Sequence, residues 1–243
     1  ALELGADFVA TGHYVSIQKK ARTYALYTAK DTNKDQSYFL WTLTQKELAH
    51  CLFPLGTITK PEVRKMATKL GLVTASKKDS QGICFLGKVP AAEFLKHYIP
   101  AHAGAIVTTE GEMIGTHDGA EFYTIGQRHG LKIGGYKKPL YVAGKNMQDN
   151  TVTVAEGNLN PELYRAETAL KNINTIRIIP EGKPITVRAR IRYRQPLCEA
   201  TLRTRKNKTG TLTFCKPQKA VAVGQSAVFY TKKGEMLGGG IIL

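Results

Sequence analysis

The chain has 243 residues, 42% of them hydrophobic, with a formal net charge of +16 and an isoelectric point near 9.7. That length accommodates two domains or three small ones. No run approaches the ~20 apolar residues of a membrane helix, and no charged-then-apolar leader opens the sequence. Four cysteines (Cys51, Cys84, Cys198, Cys215) form no C-x-x-C pair. This argues against a structural zinc site or a secreted disulfide scaffold and makes the cytoplasm the expected compartment, with no metal centre and no membrane. The charge is lopsided. Residues 159–243 hold 16 Lys/Arg against five Asp/Glu, a net of +11; residues 1–88 hold 13 against seven, and residues 89–158 six against seven. A cationic field gathered at one end points to a polyanion, nucleic acid first, because release of phosphate counterions drives such binding.

In chain order, Ala1–Gly5 reads as a helix end closing on a C′ glycine. Asp7–Ala10 reads as a buried parallel strand running into Thr11-Gly12-His13-Tyr14. Parallel strands need neighbours and covering helices. None is convincing before Tyr38, so the sequence reads as beginning inside a domain. Tyr14–Gln18 and Tyr24–Ala29 alternate as a hairpin around residues 19–22, and Asp31–Ser37 is a polar loop. Capping boxes, Thr44-x-x-Glu47 and Thr59-x-x-Glu62, announce two helices. The first is predicted to run toward Pro54, carrying Cys51. The second is predicted to bury Val63, Met66, Ala67 and Leu70 on one stripe and to stop at Gly71.

Pro90–Tyr98 reads as a short helix with Phe94 and Leu95 inward. Residues 105–107 pair with 113–115 as a hairpin, and 140–146 with 151–155. Phe122–Gly130 is read as helical at first, then broken by glycine. From about Asn158 six strands follow at intervals of roughly ten residues, the spacing of a small antiparallel barrel that removes its own edges by closing. The resulting division is 1–88, 89–157 and 158–243.

Asp79-Ser80-Gln81-Gly82-Ile83-Cys84-Phe85 places a cysteine beside Lys77 and Lys78. Cations lower a thiol pKa and make a nucleophile or sulfur carrier; a buried structural cysteine on a short strand is the other reading. Gly12 and His13 stand where a strand gives way to a loop, the ligand-binding end of open α/β sheets. A turn glycine with a surface histidine fits equally well. Lys34-Asp35-Gln36 offers a cation, a carboxylate and an amide, suited to a phosphate and a base edge or to plain solvation. Arg188, Arg190, Arg192 and Arg194 alternate, so a strand would set them on one face opposite Tyr193. Arginine grips phosphate bidentately, and an aromatic stacks on unpaired bases in RNA. Gln225 lies in a turn bordering that strand set.

Taken in order, these segments resemble the bacterial tRNA-specific 2-thiouridylase family. The resemblance is carried by Gly5–Tyr14, Lys34–Leu40, Asp79–Phe85, Tyr123-Thr124-Ile125-Gly126-Gln127-Arg128, Arg192–Pro196 and Gly224–Tyr230, collinear over nearly the whole chain. It implies an α/β plus all-β protein. Its parts would be the C-terminal part of a Rossmann-like ATP-pyrophosphatase domain, a small central α+β domain and a C-terminal antiparallel β-barrel that binds tRNA. It implies that ATP, with Mg2+, adenylates the wobble uridine and that persulfide sulfur then displaces AMP at C2. Cys84 would carry the sulfur and Gly12 would contact ATP. His13, Lys34, Asp35, Gln36, Arg192, Tyr193 and Gln225 would contact tRNA. The implied partners are tRNA and a persulfide relay protein, with the enzyme a monomer. The family's glycine-serine phosphate loop, its second cysteine and a companion Asp should precede Ala1. The expectation is therefore that this chain alone does not thiolate tRNA. Two rivals stand beside this reading: a non-catalytic RNA-binding protein with an inert Cys84, and another ATP-pyrophosphatase-type ligase that has no use for an arginine-rich barrel strand.

Overall fold

A computed structural model describes residues 1–77 and 91–243, with side chains from residue 94 in the second span. Cys84 and its Asp79–Phe85 motif lie outside the described residues. The chain forms two compact units. One joins residues 1–77, 166–216 and 223–243; the other holds the described part of 78–165 with 217–222.

In the first unit, a 3-10 turn over Leu2–Leu4 closes on Gly5 at φ 83, a small version of the expected helix end. Strand β1 (Val9–Ala10) leads to a hairpin of β2 (Val15–Lys20) and β3 (Thr23–Thr28), registered from Val15 opposite Thr28 to Lys20 opposite Thr23. Helix α1 (Gln45–Leu48) starts at the Thr44/Glu47 capping box. It ends within one turn, earlier than its sequence suggests. Cys51 and Leu52 are instead recruited as strand β4 (Cys51–Leu52), parallel to β1, with Val9 N–H donating to His50 O (2.7 Å) and Thr11 N–H to Leu52 O (3.0 Å). Cys51 is therefore a strand residue, and the missing parallel neighbour of β1 lies just after α1. A second helix, α2 (Lys60–Lys69), begins at the Thr59/Glu62 box with Pro61 in its first turn. Its predicted buried stripe is not buried: Met66 is 52% and Leu70 71% exposed.

In the second unit, α3 (Ala91–Lys96) is followed by β5 (Gly104–Thr108), β6 (Met113–His117), β7 (Leu140–Asn146) and β8 (Thr151–Glu156), in the order β6-β5-β8-β7. The two predicted hairpins both form, and a parallel β5–β8 pairing welds them into one sheet. Ile106, Val142, Val152 and Val154 fill its core. A 3-10 turn, Ala120–Phe122, ends where a helix was expected to begin, and residues 123–130 are not helical.

The barrel is as predicted. Strands β9 (Tyr164–Thr175), β10 (Ile185–Arg190), β11 (Cys198–Thr204), β12 (Gly210–Lys219), β13 (Ser226–Tyr230) and β14 (Met236–Ile242) close in the order β10-β11-β12-β9-β14-β13. Along β11, buried Ala200, Leu202 and Thr204 alternate with more exposed neighbours, as a pleated strand with one face on the core requires. Val15, Leu26, Tyr38, Trp41 and Leu48 share a single core with Val228, Tyr230 and Met236. Trp41 lies against β14 so closely that a Cβ on Gly239 would come within 2.7 Å of its ring. Only glycine permits that approach. The N-terminal elements and the barrel thus fold as one body within this unit.

Candidate nucleic-acid interface

The polar loop 31–37 sits where the first part of the chain meets the barrel. Gln36 clasps the segment after β1: the Tyr14 N–H donates to its Oε1 (3.1 Å), and its own N–H donates to Tyr14 O (2.9 Å). This brings Lys34–Gln36 beside Gly12 and His13. His13 Nδ1 lies 2.9 Å from Thr11 Oγ1, and its ring meets the edge of Phe53. Gly12 is exposed at the carboxyl end of β1, and a Cβ there would meet only Leu55, at 3.8 Å.

Asp35 is not on the surface. It is 4% exposed, and its carboxylate accepts from Ala29 N–H, Ser37 N–H, Ser37 Oγ and, at 2.9 Å, the Arg190 guanidinium of β10. Ser37 Oγ is also 2.9 Å from Tyr230 Oη, and Arg190 lies over the Tyr230 ring. Burial raises the Tyr230 and Tyr38 hydroxyls above the ordinary phenol range, so both act as neutral hydrogen-bonding groups. A buried carboxylate with this many donors holds a loop in one shape. As placed, it orients the loop and leaves contacts with a ligand to its neighbours.

The arginine stretch also differs from its predicted form. Strand β10 ends at Arg190, and Arg192–Gln195 is a turn closed by Gln195 N–H to Arg192 O, with Arg194 at φ 64. Arg190 points inward to Asp35, so the four arginines do not form one solvent face. What the turn contributes is an aromatic group: half-buried Tyr193 packs at a tilt, its ring centre 4.5 Å from that of Phe39 and 6.2 Å from that of Tyr38, with Arg194 over its ring at 5.3 Å. Phe39 is half exposed. Tyr38 donates to Ser226 O (2.9 Å) and Trp41 Nε1 to Ser226 Oγ (3.0 Å), which ties the neighbouring, exposed Gln225 to the same network.

Within one unit, Gln36 is bonded to Tyr14, Asp35 to Arg190, and Tyr193 packs on Phe39 and Tyr38, while His13, Lys34 and Gln225 are chain neighbours of these linked residues. Phe39 and Tyr230 belong to the same group although sequence reasoning did not single them out, while Arg190, expected on a phosphate-facing strand, instead bonds Asp35 inside. Phe39 carried a usable signal, one of two large aromatics that follow a polar loop. The remaining described cysteines offer no activated thiol in Cys51 or Cys198, since burial pushes both upward, and a raised thiol is a poor nucleophile at neutral pH.

A short parallel pair, a hairpin, a four-stranded central sheet and a closed antiparallel barrel thus make up the sheets of the described chain. Three consecutive family models match: the tRNA methyl transferase HUP domain over residues 1–88, the tRNA methyl transferase PRC-barrel domain over 92–156, and the Aminomethyltransferase beta-barrel domain over 165–242. The chain belongs to the tRNA-specific 2-thiouridylase family. It is 45% identical over 243 residues to the tRNA-specific 2-thiouridylase MnmA of Halalkalibacterium halodurans, 47% over 247 residues to that of Pseudomonas entomophila and 44% over 243 residues to that of Listeria monocytogenes. Each match covers all of this chain and 65% of the relative. Among the described residues no helix is long and apolar enough to cross a membrane.

Proposed function

We propose that the chain serves ATP-dependent transfer of persulfide sulfur to C2 of the wobble uridine of tRNA. It would act as a cytoplasmic monomer supplied by a persulfide-carrying protein. In this reading residues 1–88 are catalytic, 89–157 form a central domain and 158–243 bind tRNA. The observation that carries it is the Phe39–Tyr193 aromatic pair, flanked by Arg194 and anchored through Asp35–Arg190 to the loop beside Gly12. A partly exposed aromatic pair beside a cation suits an unpaired base, and a base must leave its stack before its ring carbon is attacked.

ATP fits the chain at Gly12. The backbone there is exposed at the carboxyl end of a parallel strand, and no side chain stands closer than Leu55 to where a Cβ would be. Bound there with Mg2+, ATP would supply the activation that makes the uracil carbonyl oxygen a leaving group. The chain's own residues do the rest. Lys34 and Arg192 neutralise phosphate, Tyr193 and Phe39 hold a base, and His13, Gln36 and Gln225 give polar contacts. Asp35 fixes the loop, and Cys84 is assigned the sulfur. The family descriptions speak of methyl transfer and the relatives' names of thiolation. The reading follows the relatives' names, and a thiol carrier gives Cys84 of the Asp79–Phe85 motif its role.

Titration of labelled tRNA with the chain tests the reading. Binding should weaken as salt rises, and Tyr193→Ala should cost about 1–3 kcal/mol, the worth of one stacked base. A folded chain that binds tRNA no better than it binds an uncharged polymer would overturn it. Gly12→Ala tests the ATP assignment separately. The new methyl has room in the fold, so a loss of ATP affinity with unchanged melting temperature is expected, and unchanged affinity would remove Gly12 from the site.

A further inference from the structure

The central section is nearly neutral, yet its charges are segregated. Residues 122–148 contain no Asp or Glu and five Lys/Arg, while all seven acidic residues of 89–158 lie outside that span. Most of those cations sit on one loop. Arg128–Leu140 surrounds a hollow of about 660 Å³, and Arg128, His129, Lys132, Tyr136, Lys137 and Lys138 are all exposed around it. None of the loop's Lys or Arg side chains has an ion-pair partner among the described residues. Asp118, whose carboxyl feels the field of Lys132, is engaged by Lys96 at 2.9 Å.

The loop is built rather than loose. Leu131 and Leu140 are buried, and Ile133 packs on the core of the β6-β5-β8-β7 sheet. Gln127 closes its base, accepting from Thr124 N–H (3.0 Å) and donating to His129 O (2.9 Å). Lys138 N–H donates to Glu156 at the far rim (2.9 Å). Between these anchors Gly130, Lys132 and Gly135 have positive φ. With Leu131 and Ile133 drawn inward, Lys132 between them is turned to solvent. Exposed cations around a glycine-lined hollow, with one aromatic among them, make a concave cationic surface on an anchored backbone.

We infer that this loop is a second RNA-contact surface, taking the phosphodiester backbone of the same tRNA. The inference rests on the proposed tRNA substrate. Charge complementarity selects the occupant: Arg128, Lys132, Lys137 and Lys138 outnumber the Glu156 carboxylate at the far rim, and a backbone of regularly spaced phosphates answers several lysines at once. The surface lies in the part of the chain with the least net charge, so composition alone hides it.

Binding of tRNA to the full 243-residue chain, measured from low to moderate salt, tests it with the triple variant Lys132→Gln/Lys137→Gln/Lys138→Gln. Each lost phosphate contact removes about 0.7–0.9 from the slope of log affinity against log salt, so the slope should become shallower by about 2 to 3. Lysine acetylation of the wild-type chain with and without tRNA is the second readout, and Lys132, Lys137 and Lys138 should be protected. It decides the matter if the variant melts early. An unchanged slope, a weaker affinity at unchanged slope, or undiminished acetylation in the complex each overturns the loop's role while leaving the tRNA reading intact. If the wild-type chain fails to bind tRNA at all, the substrate reading itself fails and takes the loop with it.

Discussion

The closed barrel and the two-stranded β1–β4 sheet share one unit yet are held by different means. The barrel has paired every strand edge and buried Val187, Ala189, Leu202, Leu212 and Val228 almost completely. The parallel pair has two residues per strand. In the same first 77 residues Leu4 is 91% and Val73 97% exposed, with Phe8, Leu52 and Leu70 also open. Parallel sheets are stable when both faces are covered. What the first 77 residues gain here comes from leaning Val15, Tyr38, Trp41 and Leu48 on the barrel and from local caps. Stability in this unit is therefore graded, high in the barrel and at its junction with the loop and low at the β1–β4 end.

The largest break in that gradient is expected at the junction. Asp35→Ala leaves the Arg190 guanidinium buried beside Tyr230 without its carboxylate. Removing one member of a buried pair costs about 3–5 kcal/mol, so urea unfolding should show a loss of that order. A loss below about 1 kcal/mol would mean that the pair does not join the two parts. Leu202→Ala, inside the barrel, follows at about 2–5 kcal/mol. Both variants should lower the whole transition if loop and barrel unfold together. If Leu202→Ala splits it into two steps, the shared core is weaker than its burial suggests.

The barrel was legible because its information is local: period-two alternation and turn residues recur from Arg165 to Ile242, and each predicted strand is present. The capping boxes were legible for the same reason. Long-range effects were not. Cys51 and Leu52 follow a genuine capping box and look helical, and only Val9 and Ala10, some forty residues earlier, make them a strand. Asp35 resembled a solvated carboxylate because its partner, Arg190, is 155 residues away. The arginine alternation was real, but β10 ends at Arg190 and the rest turns, which shifted the expected surface from an arginine face to an aromatic cluster around Tyr193. The helical stripe of α2 was correctly periodic; periodicity says which residues share a face and not whether anything covers it.

That last point gives the next prediction. Leu70→Lys would be severe if the stripe were core. Leu70 is 71% exposed, so the change should stay within about 0.5 kcal/mol, as for surface substitutions generally. It should also reduce binding of a hydrophobic dye, since exposed apolar patches capture such probes. A loss above about 2 kcal/mol would show that a partner or a further segment covers the helix in solution.

The smallest effect concerns what holds α2 in place of burial. The Glu62 carboxylate accepts from Thr59 N–H (2.6 Å) and Thr59 Oγ1 (2.8 Å), with Lys30 at 3.3 Å. The Thr59 backbone bond foremost, then the hydroxyl and Lys30, lower its pKa to about 2. A folded-state pKa below the unfolded value means that the ionised form favours folding. The contribution is complete above the unfolded value near 4.5 and is lost as pH falls through about 2. Glu62→Gln keeps an acceptor for Thr59 but loses the charge, as the Gln form of a capping box does. At neutral pH the variant should therefore be slightly less stable than wild type, and the gap should close on acidification between those two values. Chemical denaturation at several pH values reads this directly. A gap that stays constant down to the acid end would mean that the cap works through its hydrogen bonds alone, with no contribution from Lys30 or the helix N-terminus.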